Sequence, residues 1–522
     1  MPSPEVYSLK QFLVIRLINL RPSKELTEQQ VEAGLKLVIK DGLVTEAMTA
    51  LTGGTFLVAM ALMMGASNFQ IGVLAALPTF TNLFQLLSIW LVRKYNNRRA
   101  IAVICAIFAR IPLLVIGTLP LVFSSVTTVQ VLIFFLFFYY FFGSIAGPNW
   151  NSWMKDLVPE NKLGTYFSHR TRLTQTLNVV LSISIALTLD LVKKYYPGAV
   201  LTTYSFMFIA GGVIGLSSAY FLSRTPEPES IKANDHIFRL FKKPLQNKNF
   251  RNLLIFNSAW VFALNIATPF FSVYMMKSIG LPLSYIIALG ILTQLSCIVS
   301  IKIWGRYADS FSNKTIIAIG APLYICCIVA WCFVGISSHE YMNVGLLAVI
   351  NIVTGIATAG INLSLTNIGL KLAPKEDAIV YLSSKNIITA FFSSVAPLIG
   401  GLLADFFTNR QLNWNIQWGG PGGLKEIHLL ALHQWNFLFL IGAILAMLAV
   451  KLLSRIQETG EVEKDFVVKL LRSNIKNSIT ENFIISYMMH LPTTVSTRIK
   501  KTVVSLNDKI PPTSENSKSE RA

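Results

Sequence analysis

Apolar residues in this chain fall in long blocks separated by short wet stretches. Twelve blocks are long enough to cross a bilayer, which takes about 20 apolar residues as a helix. They cover 43–65, 69–92, 100–122, 126–147, 171–192, 200–222, 253–276, 280–303, 315–336, 342–368, 386–404 and 435–456. A helix satisfies its own backbone hydrogen bonds where water is absent, so each block is predicted as a transmembrane helix. Ahead of the first block, Thr27–Gln30 reads TEQQ, which resembles a capping box and predicts an amphipathic helix leading into the membrane.

Composition supports this reading. The 522 residues are 53% hydrophobic and only 14% charged, against roughly 25% charged in soluble domains. A net charge of +19 would suggest a nucleic-acid surface, but its distribution excludes that class. Of 45 Lys and Arg, 39 lie in the termini and alternate connections on one side, while Lys193, Lys194, Lys277, Arg410 and Lys425 lie on the other. Arg110 alone is inside a span. Cytoplasmic loops concentrate Lys and Arg, so both termini are expected in the cytoplasm and the protein in the cell membrane. The apolar stretch near the start is short and interrupted by charge, so no cleavable signal peptide is expected. All five cysteines fall within spans, so no external disulfide framework is expected.

The wet stretches repeat. DLVPENKLGTYFSHR (Asp156–Arg170) and KLAPKEDAIVYLSSK (Lys371–Lys385) share Leu, Pro, Tyr and Ser at an offset of 215 residues. Each ends on a cation, Arg170 or Lys385, expected to meet anionic headgroups or a nearby carboxylate. The same offset aligns two shorter basic turns, WLVRKYNNRR (Trp90–Arg99) and GRYADSFSNK (Gly305–Lys314). Repeats related by an axis along the membrane normal are a known transporter architecture.

These turns resemble the loop signature G-x-x-x-D-R-x-G-R-R of the major facilitator superfamily, and the resemblance covers roughly residues 40–456. The second copy keeps Gly305, Asp309 and Lys314; the first keeps only Arg98 and Arg99. The resemblance implies an all-α protein of two six-helix bundles, 42–222 and 253–456. A cytoplasmic arm (1–41), an amphipathic linker (223–252) and a basic tail (457–522) complete it. It also implies a secondary transporter with rocker-switch alternating access, in which Arg98, Arg99, Arg170, Gly305, Asp309, Lys314 and Lys385 gate the cytoplasmic side.

Charges in mid-membrane are costly and usually functional. Glu46, about one turn into the first block, is either a proton site or an interfacial carboxylate paired with a loop cation. Arg110 and Asn82 lie 11 residues from opposite sides of one turn, at equal depth, and so could hydrogen-bond, with Gln85 a turn away from Asn82. Arg110 is either an anion-binding group or a structural cation held by amides. Asn351, Thr354, Thr358 and Asn362 share one helical face, as do Asn257, Asn265 and Thr268 beside Trp260, and Thr45, Thr49 and Thr52. The resemblance places these faces on the cavity; the alternative is hydrogen bonding between helices. Trp150, Trp153, Trp414 and Trp418 read as interfacial anchors.

A membrane enzyme would need clustered catalytic groups, but Glu46 is isolated and the six histidines are scattered. No GxxxxGK[ST] loop occurs, so ATP does not drive the chain directly. The expectation is a monomer in the lipid bilayer carrying a small solute, optionally with protons, without cofactor, metal or nucleic acid. A non-transporting receptor or scaffold on the same fold is the alternative.

Overall fold

The computed structural model describes residues 20–23, 26–122, 127–159, 162–229, 242–310, 312–335, 339–374, 378–420 and 423–458. The basic tail from residue 459 and the linker from 230 to 241, which holds the apolar Ile237, Phe238 and Phe241, lie outside the described residues.

Twelve helical spans are present among them: α1 (Glu28–Met63), α2 (Asn68–Tyr95), α3 (Arg98–Leu121), α4 (Val129–Leu157), α5 (Leu163–Tyr195) and α6 (Pro197–Arg224) in one half. The other half holds α7 (Lys248–Ile279), α8 (Leu283–Ala308), α9 (Asn313–Phe333), α10 (Tyr341–Leu372), α11 (Val380–Phe407) and α12 (Trp435–Arg455). Each predicted block overlaps its own helix, but α1, α5, α7 and α11 begin five or more residues before the predicted starts. Thr27 does close a capping box, with Gln30 returning the bond, yet the helix it opens runs unbroken into the membrane. At Gly53 α1 is interrupted, and Gly54 takes φ +56°, a left-handed backbone open to glycine at little cost. Pro159 and Pro374 do follow helix ends, at Leu157 and Leu372. The stretches after them, however, are the first turns of α5 and α11, so Arg170 and Lys385 stand inside helices and not in connecting turns. Between α11 and α12 the chain forms an antiparallel hairpin of β1 (Gln411–Gly420) and β2 (Gly423–His433), with a register shift at Trp414/Asn415.

Packing repeats between the halves. In the first, α1 packs on α5 and α6, and α3 on α4 and α6; in the second, α7 packs on α11 and α12, and α9 on α10 and α12. The halves meet through α2 against α11 and α5 against α8. Backbones approach closely at the first of these. A methyl group at Gly72 would lie 2.3 Å from the Pro397 carbonyl, and one at Gly401 would lie 2.7 Å from that of Asn68. Small residues permit this closeness between membrane helices.

Near the chain termini each half has a buried carboxylate that holds the start of its third helix. Glu227 follows α6 by three residues and accepts from the backbone N–H groups of Arg98 (2.8 Å) and Arg99 (2.9 Å). Glu458 follows α12 by three residues and accepts from the Lys314 N–H (2.8 Å), the Ser312 hydroxyl and the Asn313 amide. These N–H groups have no intrahelical partner, and an anion at a helix N-terminus is favoured. The cations are placed differently. Buried Arg98 bridges Glu227 and Asp156, whereas in the second half Lys371 reaches Glu458 at 3.0 Å. Arg98 therefore braces its own bundle through Glu227 and Asp156, and the Arg99 N–H bonds to the same Glu227. Gly305 faces Leu363 of α10. Asp309 immediately follows Ala308 at the end of α8, and nothing is described of its side chain.

Burial alone would raise the Glu458 pKa, but the Asn313 amide, the Lys314 N–H and Lys371 outweigh it and hold the carboxyl below its ordinary range. Its folded-state pKa is depressed, so its contribution is complete above the ordinary carboxylate pKa and is lost as pH falls through the lower folded value. Thermal unfolding followed from neutral to acid pH is expected to show this loss. Glu458→Gln is expected to flatten that acid limb and to cost about 2 kcal/mol at neutral pH, the scale of hydrogen bonds to a charged group. An unchanged acid limb in the variant would remove Glu458 from the account.

Candidate functional site

A cavity of about 520 Å³ opens within the first bundle, in the size range of small-molecule sites. Every one of its six helices contributes. Thr45, Met48 and Thr49 come from α1, Thr81, Asn82 and Gln85 from α2, and Ala106 and Arg110 from α3. Tyr139, Tyr140, Ser144 and Trp150 come from α4, Arg170 from α5 and Ser218 from α6. Asp41 completes the wall from the fourth turn of α1.

Three charged groups define the electrostatics. Asp41 is 5% exposed and accepts from the Ser218 hydroxyl at 2.6 Å. Arg110 is 9% exposed, and its Nε has no hydrogen-bond partner. Asp41 and Tyr139 lie within electrostatic reach of it. Arg170 lies over the Trp150 ring at 4.9 Å, and its Nε donates to the Val38 carbonyl. Glycines make room for both cations. A methyl group at Gly215 would lie 2.8 Å from Arg110 Cγ, and one at Gly42 would lie 2.8 Å from the Arg170 guanidinium. A long cation on one helix thus crosses the backbone of the next because that backbone carries no side chain there.

Several sequence expectations land elsewhere. Asn82 and Arg110 share the cavity wall, but the Asn82 carbonyl oxygen accepts from Gln85 at 3.1 Å, and no hydrogen bond joins it to Arg110. Glu46 lies well inside α1, 18 residues beyond its start at Glu28, and accepts from the Asn178 amide of α5 at 2.6 Å. It is not among the cavity-lining residues. Trp153 is no interfacial anchor: it is fully buried and donates to the Pro226 carbonyl at 2.9 Å. Trp150 lines the cavity as well. Strand β1 contains Trp414 and Trp418, with nothing described of their side chains.

The polar faces of the second half bond to their neighbours. Asn257 donates to Thr389 at 2.6 Å and Asn265 to Ser393 at 3.2 Å, tying α7 to α11. The Thr293 hydroxyl donates to Asn351 at 2.7 Å, tying α8 to α10, and Thr358 turns back on the Thr354 carbonyl. Asn362 is exposed. Trp260 is 2% exposed and packs beside Phe256 and Tyr324. Lys385 donates to the Leu365 carbonyl of α10 at 2.7 Å.

Sequence reasoning missed Asp41, because the hydropathy boundary left it in the arm. It also missed two carboxylates between the halves. Asp405, at the end of α11, accepts from the N–H groups of Asn68 (3.2 Å) and Phe69 (2.9 Å), the first residues of α2. Asp190, near the end of α5, accepts from those of Leu283 (3.0 Å) and Ser284 (2.9 Å), the first of α8. The offset of 215 relates all the members of these two latches, and both lie at the end of the bundles remote from the chain termini.

Comparison with known proteins gives a consistent class. The family profile described as Major Facilitator Superfamily matches residues 42–378. No curated protein matches the chain. Among solved structures, a mutant of the nucleoside transporter NupG superposes with a TM-score of 0.62 at 14% identity, over 82% of this chain and 100% of that one. The inward-open xylose transporter XylE from E. coli gives 0.57 at 13%, over 84% and 99%. A bacterial homologue of the iron transporter ferroportin, inward-facing, gives 0.57 at 12%, over 82% and 99%. At such identities the likeness is one of fold.

Proposed function

Because the chain belongs to the major facilitator superfamily, we propose that it is a secondary active transporter, moving a small solute as its two bundles alternate access to a central route. The observation that carries this reading is the charged and aromatic cavity inside an otherwise apolar bundle, beside an interface whose two carboxylate latches, among the described residues, lie at one end. Buried ionisable groups in a membrane helix persist where they serve a transport path. The excess of Lys and Arg puts the termini in the cytoplasm, which makes the latched end the outer one and this state inward-facing. The protein acts as a monomer in the cell membrane.

Proton coupling belongs to the proposal, with Asp41 as the carboxylate. Asp41 lines the cavity between Ser218, Arg110 and Arg170, whereas Glu46 faces Asn178. The test is solute counterflow and gradient-driven uptake in vesicles containing the purified protein, at imposed pH differences. Asp41→Asn is expected to keep counterflow and lose accumulation against a gradient, while Glu46→Gln keeps both. The reverse pattern returns the proton role to Glu46. Absence of counterflow for a broad solute panel, with folded protein, overturns transport.

A further inference from the structure

The transporter reading leaves open what the cavity selects, and its charges narrow the choice. Two guanidinium groups and one carboxylate line it, so it carries one positive charge in excess. Arg170 is already engaged, by the Trp150 ring and the Val38 carbonyl. Asp41 accepts from Ser218. Arg110 is different: it is more than nine-tenths buried, has no ion pair among the described residues, and leaves Nε without a partner.

A buried cation without a bonded partner is unfavourable, and it becomes favourable once an anion desolvates against it. The planar guanidinium fork matches a carboxylate through two parallel hydrogen bonds. Gly215 gives the side chain the room to lie where it does. The remaining wall sets Tyr139, Tyr140 and Trp150 of α4 among hydroxyl-bearing and small apolar residues. Such faces take a flat or ring-bearing body.

Resting on the transporter reading, we propose that the cavity binds an aromatic or ring-bearing monocarboxylate, its carboxylate on Arg110 and its ring against the α4 aromatics. The single excess positive charge favours a monoanion. A phosphate monoester, with nearly two negative charges at neutral pH, would leave Asp41 facing uncompensated charge.

The experiment uses the full chain in lipid nanodiscs. Thermal unfolding is followed with benzoate, 4-hydroxybenzoate and indole-3-acetate, with their uncharged primary amides, and with phenyl phosphate. At least one acid is expected to raise the unfolding temperature in a saturable way, its amide not, and phenyl phosphate less than the acid. Arg110→Gln is expected to weaken acid binding by about tenfold to a hundredfold, the effect of losing a charge-assisted pair, and Arg110→Lys by less. Equal stabilisation by acid and amide overturns the proposal. So do stronger binding of phenyl phosphate, acid binding unchanged in Arg110→Gln, and the absence of any acid effect. The acid-versus-amide comparison needs no variant, so it decides even where Arg110→Gln does not fold. Flux measurements separate the two readings. Acid binding without flux rejects transport and keeps the site, whereas flux of neutral solutes indifferent to Arg110→Gln rejects the site and keeps transport.

Discussion

Glu227→Ala is expected to be the most damaging single change in this protein outside its cavity, costing about 3–5 kcal/mol of stability, the range for breaking a buried ion pair. The Arg98 side chain is 1% exposed and that of Glu227 2%. Arg98 donates through Nε to Glu227 at 3.1 Å and through other nitrogens to Asp156, to the Ser152 carbonyl and to the Pro228 carbonyl at 2.8 Å. Removing the carboxylate leaves this guanidinium buried, with the more exposed Asp156 as its remaining acid. It also strips the bonded acceptor from two N–H groups at the start of α3. The measurement is the unfolding temperature of the detergent-purified protein, read beside its yield. The double change Arg98→Met with Glu227→Leu is expected to be milder than Glu227→Ala alone, because it leaves no buried charge uncompensated and only the more exposed Asp156 loses its partner. A Glu227→Ala protein as stable as the parent would show that the cluster contributes nothing to folding.

The second large effect concerns conformation. Replacing both Asp190 and Asp405 by asparagine is expected to release the outer ends of the bundles. Each latch gives two charge-assisted bonds to a helix N-terminus, about 1–2 kcal/mol in a partly exposed setting. Together they bias the closed outer end by about 2–4 kcal/mol, or roughly 30- to 1000-fold in population. A cysteine in place of Asn68, a buried α2 residue whose side-chain amide donates to the Thr408 hydroxyl of the other half at 3.4 Å, is the reporter in a background lacking the native cysteines. Its labelling from the outside is expected to be slow in the parent and faster by at least tenfold in the double asparagine variant. Each single variant should fall between. Equal labelling in all four proteins would deny the carboxylates any part in closure.

Much of this architecture was legible because the bilayer imposes one rule. A span must be apolar for about 20 residues, so all twelve helices announced themselves. The same rule misplaced the ends. Hydropathy reports which residues face lipid, not which are helical, so the polar first part of α1 read as arm and that of α5 as a wet stretch between spans. Asp41 and the true setting of Arg170 were lost in that way. Arg110 stood out as the one cation within an apolar run, while the hydroxyl and amide faces of α7 and α10 could not be told from helix-to-helix bonding by spacing alone. Asp190 and Asp405 were hidden for another reason. An aspartate at a helix end is ordinary in sequence, and its significance lies in an N–H pair on the other half of the chain.

The buried carboxylates Glu227 and Glu458 carry one more implication, about how the halves diverged. Position 98 is arginine in one half and its counterpart 313 is asparagine; position 156 is aspartate and its counterpart 371 is lysine. Each half thus offsets the same buried acid with a cation from a different helix. Transplanting either residue alone from one half to the other would add or remove a charge without its complement. The two halves are in this sense two settings of one lock, alike in shape and incompatible in their parts. What the halves share is a buried acid at the start of the third helix, and what they do not share is the side chain that offsets it.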